Sequence, residues 1–289
     1  MNVAIVAHDS GAANLILGYI KNNTKNNFYF CLKGPAKKIF EKSYKNFENK
    51  NIKFLLNNCE ILISGTGWQS DFEHLARCSF KTRGKKIISV IDHWVNYKQR
   101  FEYENHDEFL SNELWVFDKT ALKIAKKTFP DIRVVEKKNF YVLDVVKKIN
   151  LLGDHDKSNS ILYVLEPIRN GFKQQKGDEF KCIEYFFKNI STINLDHKEI
   201  IFRLHPSERD DKYDSFLSLY ENDFQIKIDT KSSLEKLISK SFVVVGYGSM
   251  AMYIADQAGK KIISSRMPCH PPLNIPIQNL HDIKTSFLI

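Results

Sequence analysis

Short apolar runs alternate with amphipathic stretches along most of the chain. Residues 3–7, 28–32, 61–64, 86–91 and 114–117 are dominated by apolar side chains and read as β-strands. Between them, residues 11–21, 71–80 and 120–128 read as helices. Residues 142–158 end in a polar patch of Gly153, Asp154, Asp156 and Ser158, a candidate domain boundary. The pattern then restarts. Residues 160–165, 199–204, 226–228, 242–245 and 261–264 read as strands, and 179–190, 233–239 and 250–258 as helices. Such alternation predicts parallel sheets with crossover helices. Two successive rounds predict an α/β protein of two Rossmann-like domains, 1–150 and 151–289, facing a central cleft. No internal repeat or low-complexity segment interrupts them. In open parallel sheets, ligands gather at the C-terminal strand ends, so the residues just after strands are the ones to inspect.

Composition narrows the picture. The chain has 289 residues, enough for two domains at roughly 150 residues each. Its 43% hydrophobic content supports a packed core, and no apolar run approaches the roughly 20 residues of a membrane span. The first residues lack a basic n-region and lead straight into His8 and Asp9, which reads as a strand and not a signal peptide. Five scattered cysteines without a CxxC pair argue against a disulfide framework or structural zinc and fit a reducing cytoplasm. The net charge of +9 reads either as a Lys-rich solvated surface or as attraction to an anionic partner. Nucleotide phosphates, a lipid-linked acceptor and the inner membrane face all qualify. No nucleic-acid-binding motif appears.

In the first half, His8, Asp9, Ser10 and Gly11 follow the first strand. Asp9 or Ser10 suits a helix cap and Gly11 admits close approach, while His8 and Asp9 are candidate proton carriers. Gly65, Thr66 and Gly67 follow the third strand, with Trp68 and Glu73 close behind. Their backbone N–H groups either face a ligand or close a tight turn. Asp92, His93, Trp94, Asn96, Tyr97 and Arg100 follow the fourth strand. Asp92 beside aromatic rings suits a general base; the plainer reading is a polar network that ties down a loop. Trp68, Trp94 and Trp115 together predict a wall on which a sugar ring stacks. The catalytic candidates are therefore Asp92, Asp9, His93 and His8. Gly67, Trp68, Glu73, Asn96, Tyr97 and Arg100 are candidates for acceptor binding.

In the second half, Arg203, His205, Pro206 and Ser207 follow one strand, and Pro206 stops it. His205 and Arg203 suit a phosphate. Gly246, Tyr247, Gly248, Ser249 and Met250 follow the apolar run 242–245. There the glycines let the backbone approach a pyrophosphate, and Ser249 puts a hydroxyl at a helix start. Glu166, after another strand, is a candidate for a ribose or base.

This pairing of a His-Pro strand end with a Ser-containing glycine turn resembles the donor domains of bacterial GT-B sialyltransferases, polysialyltransferases and Kdo transferases. It also resembles CDP-glycerol glycerophosphotransferases. The resemblance implies a metal-independent glycosyltransferase in which His205, Pro206 and Ser249 hold the donor phosphate. Those families carry their base in an acidic-acidic-Gly motif. Here Asp92, His93 and Trp94, or His8, Asp9, Ser10 and Gly11, stand in its place. Residues 64–68 with 92–97, Arg100 and Phe101 also resemble proteins of bacterial polysaccharide clusters.

The leading expectation is transfer of a sugar, such as a CMP-activated nonulosonic acid or Kdo, to a capsule or lipooligosaccharide acceptor. Asp92 takes the acceptor proton and His205 the leaving phosphate, at the cytoplasmic face of the membrane, without cofactor or metal. The alternatives are a CDP-polyol phosphotransferase, a nucleotide-sugar epimerase or hydrolase of the same fold, and a non-catalytic nucleotide-binding protein.

Overall fold

The computed structural model describes residues 1–289 except 46, 68–69, 103–110, 154–159, 169–177, 193–198, 207 and 284–289. The chain divides into two compact units, Met1–Leu143 and Asp144–Ile289.

Unit 1 runs β1 (Asn2–Ala7), α1 (Ser10–Lys21), β2 (Asn27–Leu32), α2 (Gly34–Ser43), α3 (Ile52–Asn58), β3 (Ile61–Ser64), α4 (Phe72–Lys81), β4 (Lys86–Val90), β5 (Glu113–Val116), α5 (Lys119–Thr128) and β6 (Arg133–Glu136). The strands form a parallel sheet in the order β2-β1-β3-β4-β5-β6. Side chains alternate across a strand, so β1 feeds two cores. Val3, Ile5 and Ala7 pack with Leu15, Ile16 and Phe40 on one face. Ala4 and Val6 pack with Leu55, Ala76 and Phe80 on the other. Helix α6 (Phe140–Leu152) then carries the chain across the division.

Unit 2 follows with β7 (Ser160–Val164), α7 (Asp178–Asn189), β8 (Ile200–Arg203), α8 (Asp214–Leu217), β9 (Ile226–Ile228), α9 (Leu234–Lys240), β10 (Ser241–Gly246), α10 (Met250–Gln257), β11 (Lys261–Ser264) and β12 (Leu280–Asp282). Its parallel order is β12-β11-β10-β7-β8-β9. Ile161 and Tyr163 of β7, Phe202 of β8 and Val243 and Val245 of β10 share a core with Phe186 and Phe187 of α7.

In each sheet the chain builds outward one way and then returns to the other side of its first strand. The order reverses between β1 and β3 in unit 1 and between β7 and β10 in unit 2. Strands that diverge at such a point leave room for a ligand at their C-terminal ends.

Some elements escaped the apolar pattern. Helix α2 starts with Gly34 and Pro35, and its proline sits in the first turn, where its missing N–H costs nothing. Helix α3 is announced only by Asn51, whose side chain accepts the Phe54 N–H at 2.8 Å. Strand β6 lies at the sheet edge with only Val134 and Val135 apolar. Among the described residues, no helix is long and apolar enough to cross a membrane.

Candidate active site

The ends of β1, β3 and β4 are neighbours, so three of the sequence-predicted groups meet at one edge of unit 1. Asp9 occupies the position before α1, but its side chain makes no capping bond. Its Oδ1 lies 2.7 Å from His8 Nδ1 instead. A carboxylate on one ring nitrogen orients the imidazole and leaves the other nitrogen for chemistry. That other nitrogen, Nε2, lies over Gly34, within 2.7 Å of where a Cβ would stand.

Glu73 reaches up from α4 beneath this pair. Its Oε1 accepts the His8 N–H at 2.8 Å, and its Oε2 accepts the Gly67 N–H. The residue is fully buried. Burial pushes its carboxyl up to about 7, reinforced by Asp9 and opposed by the two N–H donors and Arg77. Arg77 is also fully buried, which brings its guanidinium down to about 10. It donates to the Gly65 carbonyl at 2.7 Å and to Ser64 Oγ at 3.3 Å.

Asp92 is held from the other side. Arg100 Nη1 lies 2.6 Å from Asp92 Oδ1 and 3.3 Å from Thr66 Oγ1. The second oxygen, Oδ2, rests on Gly11; a Cβ there would come within 1.8 Å of it. Asp92 therefore lies against the start of α1, whose positive end favours negative charge. Gly67 plays the same part for two carboxylates. A Cβ on it would meet Asp9 Oδ2 at 2.4 Å and Glu73 Oε2 at 3.0 Å. The result is three carboxylates and an imidazole at one edge: Glu73 sealed beneath, and Asp92 with the His8–Asp9 pair partly open to solvent. Such a set takes up and delivers protons.

In unit 2, Glu166 follows β7, Glu208 follows β8, and Gly248 and Ser249 follow β10, three strands that are neighbours in the sheet. Burial pushes the Glu166 carboxyl up to about 7, with Glu208 adding repulsion, although the Gly248 N–H donates to it. Glu208 Oε1 accepts from Tyr213 Oη at 2.8 Å and from Lys212 Nζ. Ser249 precedes α10, yet its hydroxyl caps nothing. His205 is half-buried, and its carbonyl accepts the Glu208 N–H at 2.9 Å. Among the described residues, no group of three or more His, Cys, Asp and Glu side chains could hold a metal ion.

No protein-family model matches the chain, and no curated protein sequence does. Solved structures do. MnaA from S. aureus, in a UDP co-structure, aligns over 99% of this chain and 86% of its own, at 10% identity and TM-score 0.64. UDP-GlcNAc 2-epimerase from Methanocaldococcus jannaschii aligns over 99% and 90%, at 14% identity and TM-score 0.64. MurG from Acinetobacter baumannii aligns over 98% and 86%, at 10% identity and TM-score 0.54. Both Rossmann-like units are spanned each time. The chain has the GT-B fold.

Within this GT-B protein several expectations are corrected. Both glycine N–H groups of the Gly65–Thr66–Gly67 loop are engaged within the protein, as the tight-turn reading has it: Gly65 N–H donates to the Val6 carbonyl at 2.9 Å and Gly67 N–H to Glu73, while Thr66 Oγ1 donates to the Val90 carbonyl at 2.8 Å. Glu73, Tyr97 and Arg100, expected to meet an acceptor, are buried. Burial pushes the Tyr97 hydroxyl well above its ordinary range, and Arg100 is committed to Asp92 and Thr66. The tryptophan wall is absent for the two described rings. Trp94 is buried with its Nε1 on Asp118 at 2.9 Å, and Trp115 sits in the core against Tyr19. Trp68 and Ser207 lie outside the described residues.

In unit 2, Gly246 belongs to β10, and its missing Cβ makes room for Val164 and Met252, not for pyrophosphate. The Tyr247 ring is packed with Ile168 and Cys182. Gly248 gives its N–H to Glu166, and Arg203 donates to the Ser232 carbonyl at 2.9 Å, tying down the loop after β9. Pro206 is exposed, and Met250 is the first residue of α10. His93 is half-buried, its ring 5.3 Å from that of Trp94. Asn96 is exposed in a left-handed turn with φ 59°. Sequence reasoning missed Arg77 and Glu208 as site-builders. Their helical and turn positions carry no motif, and only the fold brings them beneath the strand ends.

Proposed function

We propose that this chain is an enzyme of nucleotide-linked sugars that inverts a ring carbon, with UDP-N-acetylglucosamine as the first substrate to test. Unit 2 binds the nucleotide through the residues after β7, β8 and β10, and the ionisable edge of unit 1 moves the proton. One observation carries this reading. Two separate proton carriers, Asp92 on Arg100 and His8 on Asp9, flank the start of one helix. Inversion at the carbon next to the anomeric centre balances if its C–H bond and the anomeric C–O bond to UDP break together, giving a 1,2-unsaturated sugar and free UDP, and a proton then adds to the opposite face as UDP rejoins the anomeric carbon; the proton leaves one face and returns to the other, which two such groups serve. Transfer to an acceptor calls for one base. The likeness to a UDP-GlcNAc 2-epimerase over nearly the whole chain supports the same choice.

Purified protein incubated with UDP-N-acetylglucosamine in D2O tests it by NMR. A second epimer carrying deuterium at the inverted carbon is expected, with turnover falling about 10²-fold or more in D92N and in H8Q. If no epimer forms but UDP is released only when an acceptor glycan is added, glycosyl transfer with Asp92 as base replaces this reading. That second reading is favoured by the position of Asp92 at a strand end and by the likeness to MurG.

A further inference from the structure

Arg77 lies wholly inside unit 1, and its guanidinium bonds to backbone from two separate segments. Nη1 donates to the Gly65 carbonyl at 2.7 Å and to Ser64 Oγ at 3.3 Å, and Nη2 donates to the Arg100 carbonyl at 3.4 Å. The guanidinium carbon also stands 5.4 Å from the centre of the Phe101 ring. A methionine or leucine would fill this space without a buried charge, so filling the core does not explain an arginine here. What the two segments carry does. The first runs on to Gly67, whose N–H is held by the same Glu73 that accepts the His8 N–H at 2.8 Å. The second carries the Arg100 side chain, which holds Asp92 at 2.6 Å and the Thr66 carbonyl at 3.4 Å. Glu73 and Arg77 stand four residues apart on α4, so one helix face serves both seats.

We propose that Arg77 is a positioning residue that keeps the two proton carriers, Asp92 and the His8–Asp9 pair, in fixed register without itself touching the substrate. The proposal rests on the inversion reading above. In that reaction one carrier removes a proton and the other returns one to the opposite face, so their mutual placement matters as much as either group alone. Between the two events the unsaturated sugar and UDP wait in the site. A displacement of about 1 Å at the reacting groups slows a step by up to about 10²-fold. Loss of register therefore slows the return of the proton, and the two pieces leave before they rejoin. Only the planar fork of an arginine reaches both carbonyls at once; a lysine places one ammonium and holds one side.

The test gives the full chain UDP-N-acetylglucosamine in D2O and follows epimer, free UDP and unsaturated sugar by NMR. In R77K, epimer formation is expected to slow about 10-fold or more. The decisive quantity is the amount of free UDP and unsaturated sugar released per epimer formed, which should rise about 10-fold or more over wild type. R77M removes the charge as well and should show the same rise; R77K keeps the test alive if R77M fails to fold. A variant that only loses fold stability yields less of every product in equal proportion. An unchanged ratio in folded R77K therefore overturns the positioning role and leaves the inversion reading standing, and so does epimer formation at the wild-type rate. A wild-type chain that forms no epimer overturns the inversion reading and this proposal with it.

Discussion

Replacing Gly11 by alanine puts a methyl group where the Asp92 carboxylate lies. In an exposed helix the change would help, because alanine exceeds glycine by about 1 kcal/mol in helix propensity. Here the new Cβ would stand 1.8 Å from Asp92 Oδ2 and 2.8 Å from its Cγ. Ordinary C···O contacts are about 3.3 Å or longer, so the carboxylate must retreat by more than about 1 Å. That movement disrupts the 2.6 Å pair with Arg100, whose side chain is 7% exposed against 17% for Asp92. Breaking a fully buried pair costs about 3–5 kcal/mol. Allowing for the partial exposure of Asp92, roughly 2–3 kcal/mol is lost and G11A ends roughly 1–2 kcal/mol less stable. Urea denaturation reads this, and the turnover assay should fall with it. The decisive comparison is the double-mutant cycle. In a D92A background the clash is gone, so G11A becomes neutral or stabilising. Coupling below about 0.5 kcal/mol, or a G11A protein with wild-type stability and turnover, refutes the assignment of Gly11 as the seat of Asp92.

Other outcomes follow from the same geometry. Glu73 is raised from 4.5 to about 7 in the folded chain, so folding holds its proton more tightly. Its contribution is complete below about pH 4.5 and is lost as pH rises through about 7, a change of about 3 kcal/mol that E73Q should flatten in pH-dependent denaturation curves. Asp118 caps α5 by accepting Ala121 N–H at 2.7 Å and also holds Trp94 Nε1. D118A should therefore cost about 2–3 kcal/mol in urea denaturation. S249A should leave urea stability unchanged or raise it by up to about 1–3 kcal/mol, because it removes a shielded hydroxyl that caps nothing and bonds nothing.

The alternation of apolar runs and amphipathic stretches was enough to read two successive α/β rounds and to place the candidate chemistry after strands. It worked because a buried parallel strand needs continuous apolar side chains, as in residues 243–245, and a crossover helix needs an apolar stripe. Weakly patterned elements were lost for the same reason: β6 at an edge and the short α3 bury too little to leave a signal. What each polar residue does was decided by tertiary structure. Along the chain Gly11 reads as a place of close approach, and Gly65 and Gly67 as a turn that either faces a ligand or is merely tight; in the fold they make room for the carboxyl groups of Asp92, Glu73 and Asp9. Tyr97 and Arg100 sit in the same loop as Asp92 and share its polar character, but only packing turns them inward. Strand order brings residues 9, 67 and 92 together, and places 166, 208 and 249 after three neighbouring strands. That order depends on contacts between strands far apart in sequence, which no local pattern records.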